Sequence, residues 1–147
     1  MVEIEANSSL LSVHILLPEA VDRRLERWTR TMPGTSWPTW GGHITLVPNF
    51  VPRGSTEEIR AAMESVCVQE PPFMVRFAAP IATQDSTRPG YFAVFLTVEE
   101  IATDSEGVRL PQLRSKLLLA LESLREDLRP QLVDLPFLAH VTLALGL

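Results

Sequence analysis

Apolar residues recur along this chain with two different periods, and the switches between them mark out its elements. Ser12 to Leu17 is a β-rich apolar run, alternating at Val13, His14 and Ile15, that stops at Pro18, which predicts a strand. From Glu19 to Thr31 the period becomes helical, with Val21, Leu25, Trp28 and Met32 on one stripe. Loop chemistry follows from Pro33 to Pro38, and Gly41-Gly42 leads into a strand that starts at His43 and is closed by Pro48. Ser55 and Glu58 form a capping-box pair opening a second helix, with the stripe Ile59, Ala62, Met63 and Val66, ended by Pro71-Pro72. Phe73 to Phe77 predicts a strand, Gln84 to Gly90 a polar turn or mobile loop, and Tyr91 to Val98 the strongest strand, rich in aromatic and β-branched residues. A loop at Asp104 to Gly107 precedes a third helix, with Pro111 in its first turn and a stripe of Leu113, Leu117, Leu121, Leu124 and Leu128. Arg129-Pro130 ends that helix, and a connector through Leu135-Pro136 enters a last strand at His140.

The order is strand, helix, strand, helix, strand, strand, helix, strand. Strand–helix–strand occurs twice within it, over Ser12 to Leu46 and Tyr91 to Leu143, predicting an α+β or mixed α/β domain built from two similar lobes. A chain of 147 residues suits one domain, 1–147, with a core of its own. Its apolar fraction of 46% and charged fraction of 21% are those of a soluble globular protein. No apolar run reaches the ~18 residues of a membrane span.

A net charge of −5 argues against a broad, sequence-blind face for long nucleic acid, but leaves room for a small phosphorylated ligand in a local pocket. The single cysteine, Cys67, excludes an internal disulfide, suits a reducing compartment, and is expected on the buried face of the second helix. Met1 to Asn7 is acidic and lacks the basic start of a secretory signal, so a cytoplasmic protein is expected.

Chemistry enters with a repeated tetrad. His43-Ile44-Thr45-Leu46 and His140-Val141-Thr142-Leu143 lie 97 positions apart in a chain with only three histidines. In a strand, His and the Thr two residues on share a face, roughly 6.5–7 Å apart, while the intervening aliphatic residue faces the other way. Each copy thus offers an imidazole and a hydroxyl on one surface. Two imidazoles over one phosphate can serve as general base and general acid, because both titrate near neutrality. The hydroxyls can donate to non-bridging oxygens where charge builds. There is no His-x-His, His-x-x-x-His or cysteine pair, no glycine-rich nucleotide loop, and no acid cluster beside the tetrads, so neither metal nor cofactor is called for.

Two such tetrads, each on a strand after a strand–helix unit, resemble the two-histidine (2H) phosphoesterase superfamily of 2′-5′ RNA ligase-like proteins and RNA 2′,3′-cyclic phosphodiesterases. The likeness runs from SVHILLP to the final HVTLAL, and HITLVPNF and PFLAHVTL carry it best. It implies a bilobal fold of two pseudo-symmetric lobes, with antiparallel or mixed sheets around a central groove. It also implies metal-independent attack on a 2′,3′-cyclic or 2′-5′ phosphodiester, reversible as ligation. By position, His43, Thr45, His140 and Thr142 become the catalytic set. The chain departs from many members at Ala144-Leu145-Gly146, where they carry a basic residue. Only seven residues follow His140, where many continue with another strand or helix. The expectation is a sheet edge left unfinished, covered by a partner subunit, or completed by chain beyond this sequence.

Secondary candidates are His14, which alternates with Val13 and Ile15, and Trp37 and Trp40 before the first tetrad, where an aromatic can stack on a base or pack under the loop. Arg53 and Arg88, on loops, can clamp a phosphate or stay solvated. Tyr91 is a further substrate-binding candidate, although it, Phe50 and Phe137 suit core or rim. The expected partner is a small nucleotide or RNA terminus, with no membrane, on a monomer or weak homodimer. The alternative function is a regulatory module that binds a nucleotide or RNA end in the same groove with little turnover.

Overall fold

A computed structural model describes residues 10–35, 37–84, 90, 92–100 and 109–145. The expected Tyr91, Arg88, most of the turn at 84–90 and the loop at 104–107 lie outside the described residues. Strand β1 (Leu11–Leu16) buries Leu11 and Val13 and leaves Ser12 and His14 half-buried, as alternation requires. The Pro18 carbonyl accepts from the Val21 and Asp22 amides at 3.0 and 2.9 Å, which starts helix α1 (Glu19–Thr29). Glu19 and Asp22 sit in its first turn, where carboxylates complement the helix dipole. Its buried residue is Thr29, whereas Trp28, expected on the stripe, is 45% exposed. The Thr29 hydroxyl donates to the Leu25 carbonyl at 2.8 Å, so its burial leaves no polar atom unpaired.

Strand β2 (His43–Pro52) does not close at Pro48 but runs through it. It pairs antiparallel with the last strand at Ile44 and with a short strand from Phe50 to Pro52, and Pro48 lies between, where its missing N–H interrupts neither set of pairs. Helix α2 (Thr56–Cys67) opens on the expected capping box: Ser55 Oγ accepts from the Glu58 amide at 3.2 Å, and Glu58 Oε2 accepts from the Ser55 amide at 2.7 Å. Hydrogen bonding of the Glu58 carboxylate to the Ser55 amide, with a contribution from the Ser55 hydroxyl, holds that carboxyl below its ordinary range. Cys67 is exposed, contrary to expectation: it is the last residue of α2 and lies about 80° around the helix from buried Ile59.

Strand β3 (Val75–Gln84) starts later and runs further than the predicted Phe73–Phe77, and β4 (Phe92–Glu100) follows. The Glu100 carboxylate accepts from the Arg109 amide at 2.8 Å and from the Leu110 amide, capping helix α3 (Arg109–Ala120). This helix stops well short of Leu128. A 3-10 turn (Glu122–Leu124), strand β5 (Arg125–Asp127) and helix α4 (Pro130–Asp134) take up the rest, with Pro130 opening a helix rather than ending one. Leu113, Leu117 and Leu121 are buried but Leu128 is 51% exposed. The stripe loses its core there, and the backbone pairs with β2 instead, Phe50↔Asp127 to Pro52↔Arg125. Strand β6 (His140–Leu145) completes a six-stranded sheet in the order β1-β2-β6-β4-β3, with β5 on β2.

By spatial contact the chain divides into two units that interleave along the sequence rather than following the segments 12–46 and 91–143. One holds residues 1–14, 45–75 and 100–137, where α2 packs on α3 over Phe50, Ile59, Leu110, Leu117 and Leu121. The other holds residues 15–44, 76–99 and 138–147, where α1 contacts β6. Its core is Ile44, Ala93, Leu96, Val98, Ala139, Val141 and Leu143. None of the described helices is long and apolar enough to cross a membrane.

Candidate active site

His43 and His140 both belong to the second unit. The turn before His43 is anchored by Asp22, whose Oδ1 accepts from the Gly42 amide at 2.5 Å and from Trp37 Nε1 at 3.2 Å. Gly41 has φ +91°, open only to glycine without strain. A Cβ on Gly42 would lie 2.8 Å from both Leu17 and Trp37 side chains. The chain therefore enters β2 along one path, and Trp37 packs beneath the turn.

At the centre of the two tetrads the partner pair is Ile44↔Val141. These residues are 3% and 0% exposed and, with Leu96 and Leu143, form the apolar backing. Antiparallel register then sets His43 opposite Thr142 and makes His43 and His140 diagonal neighbours on the other face, a spacing of about 7–8 Å that side chains of this length can bridge. On the far side of β6, Thr97 is opposite His140 and Phe95 opposite Thr142. The register shifts between Val94 and Phe95, which leaves Leu143 as an extra residue in β6 immediately after Thr142.

The two imidazoles are held alike. His43 Nδ1–H donates to the Gly41 carbonyl at 3.1 Å, and His140 Nδ1–H donates to the Leu138 carbonyl at 2.8 Å, in both cases two residues upstream. With Nδ1 occupied in this way, proton exchange falls to Nε2 on each ring. Each ring also lies against an aromatic: Trp40 stacks on His43 with centroids 3.9 Å apart, and Phe95 is tilted against His140 at 4.4 Å. Burial pushes the His43 pKa below its ordinary value. The Gly41 bond opposes this and repulsion from His140 adds to it.

In the other unit Thr45, two residues beyond His43 on β2, has its hydroxyl 3.1 Å from His14 Nδ1, and Ser12 Oγ lies 2.5 Å from His14 Nε2. The Arg53 guanidinium pairs with Glu126. Phe50 is fully buried, and Phe137 lies under the Arg114 guanidinium at 5.0 Å. Sequence reasoning passed over Phe95, Asp22 and Ser12. Alternation with Thr97 puts Phe95 on a definite face, but which strand it adjoins follows only from the sheet order. Among the described residues no group of three or more His, Cys, Asp or Glu is arranged to hold a metal ion.

A family model described as the 2′-5′ RNA ligase superfamily matches residues 17–147. No curated protein and no solved structure shows significant similarity.

Proposed function

Because the chain belongs to the 2′-5′ RNA ligase superfamily, we propose that it is a metal-independent phosphodiesterase that opens the 2′,3′-cyclic phosphate, or cleaves a 2′-5′ linkage, of a nucleotide or RNA end. The superfamily supplies phosphoesterase and ligase chemistry. The narrower reading is carried by one observation: two antiparallel tetrads present imidazoles on one face, each committed through Nδ1 to its own upstream carbonyl.

In this reading His43 is the general base in hydrolysis. Its lowered pKa keeps the ring neutral near neutral pH, and Nε2 takes the proton from water as the water oxygen bonds to phosphorus. The phosphorus–ribose oxygen bond breaks on the opposite side, and His140 Nε2–H delivers a proton to the departing oxygen. His43 ends protonated and His140 neutral, and exchange with solvent restores both. Thr45 and Thr142 donate to the non-bridging oxygens as charge accumulates there. Ligation uses the same groups with a 5′ hydroxyl in place of water: one imidazole takes the hydroxyl proton as its oxygen bonds to the phosphorus of a 2′,3′-cyclic phosphate, the bond to the ribose 3′ oxygen breaks, and the other imidazole protonates that oxygen.

The test is turnover of 2′,3′-cyclic nucleotides and 2′-5′-linked dinucleotides in EDTA, followed by product chromatography. Monoester or cleaved product is expected. No turnover on any such substrate overturns the reading, and thermal protection by the nucleotide without product would favour a binding module.

A further inference from the structure

The third histidine touches a member of the proposed catalytic set. His14 Nδ1 lies 3.1 Å from Thr45 Oγ1, and His14 Nε2 lies 2.5 Å from Ser12 Oγ. Ser12 and His14 share a face of β1 because Val13 between them is buried at 3% exposure. All three side chains lie in one contact unit and are half-buried.

A neutral imidazole carries one ring proton, so in that form the contacts to Ser12 and Thr45 run in opposite senses. When Nε2–H donates to Ser12, Nδ1 accepts the only proton that Thr45 has, and the threonine oxygen can offer an anion nothing. When Ser12 donates to Nε2, Nδ1–H donates to Thr45 Oγ1 and the threonine proton points elsewhere. Phosphate oxygens only accept, so a bound phosphodiester selects the second arrangement. Resting on the reading that Thr45 holds the substrate phosphate, we propose that His14, backed by Ser12, is a positioning residue that orients the Thr45 hydroxyl toward that phosphate. The tetrads alone do not specify this direction. The residue that does is on β1, outside either copy.

Two amide substitutions separate the two contacts. In His14→Asn the side-chain amide nitrogen occupies the place of Nδ1 and can still donate to Thr45. In His14→Gln the amide reaches the place of Nε2 and addresses Ser12. We expect kcat/KM of His14→Asn to stay within about threefold of the unsubstituted chain. For His14→Gln and His14→Leu we expect a fall of about 10- to 100-fold, the loss of one hydrogen bond to a charged oxygen. In a Thr45→Val background the three His14 variants should become equivalent, since the hydroxyl they orient is gone.

Equal rates for His14→Asn and His14→Gln would overturn the proposal, as would a His14→Gln loss that persists in Thr45→Val or follows melting temperature alone. Turnover by the unsubstituted chain tests the proposed function separately. If that turnover is absent, the same variants are compared for affinity toward inorganic phosphate by calorimetry, where the same ordering supports the orienting role and its absence sinks it.

Discussion

In His140→Ala the chain loses the proposed general acid together with a charge that weighs on His43. Positioned acid–base groups contribute about 10²–10⁴ in rate, or roughly 2.7–5.5 kcal/mol of barrier, so hydrolysis at neutral pH should fall by at least about 10²-fold. The cost in stability should be small, below about 1 kcal/mol: His140 is only half-buried, and the Leu138 carbonyl it engages belongs to an exposed residue that water can reach.

The second consequence concerns pH. Repulsion from His140 is one cause of the lowered His43 pKa, so its removal lets that value rise toward the ordinary 6.5 while burial still opposes it. A base is lost when it protonates, so the acid limb of the residual activity should move to higher pH. The assay is kcat/KM on a 2′,3′-cyclic nucleotide from pH 4.5 to 9, which reports the free enzyme. An acid limb that stays fixed or moves down would refute the coupling, and a rate within tenfold of the unsubstituted chain would refute the acid role.

Three other perturbations have defined outcomes. Val141→Ala removes two carbons from a fully buried position behind the tetrads and should cost about 2–3 kcal/mol, read as a lower urea midpoint at unchanged slope; less than about 0.5 kcal/mol would contradict the backing role. Gly42→Ala drives a methyl against Leu17, Trp37 and Asp22 and should destabilise by about 1–3 kcal/mol while lowering kcat through displaced His43; full activity with an unchanged melt would count against the anchored turn. Because folding lowers the His43 pKa, the unfolded chain holds a proton near pH 6.5 that the folded chain has released. That contribution is present above the ordinary value and lost as pH falls through the folded one, so His43→Gln should flatten the rise of stability with pH in this window, as measured by urea unfolding.

What was readable beforehand depended on how local the cause was. The Ser55–Glu58 box, the buried Leu113, Leu117 and Leu121, and the alternation that backs both tetrads with Ile44 and Val141 act over a few residues, and all stand in the structure. Several predictions that changed turned on a distant partner. The leucine period continues to Leu128, yet pairing with β2 converts 125–127 to a strand. Pro48 reads as a stop, yet β2 changes partners around it. Thr29 takes the buried place expected of Trp28 because a hydroxyl satisfied by its own helix is no longer costly to bury. At the site the histidines were evident from repetition, whereas Phe95, Asp22 and Ser12 matter only through strands and turns that fold onto them.

Both rings commit Nδ1 to a carbonyl two residues upstream, so each is turned alike relative to its own strand. In the proposed reaction whichever ring starts with the extra proton is the donor, so one arrangement would serve cleavage or joining without rebuilding anything. At His43 burial and repulsion from His140 favour the neutral ring against the pull of the Gly41 carbonyl, and that lopsidedness gives the proposed two-way device its resting direction.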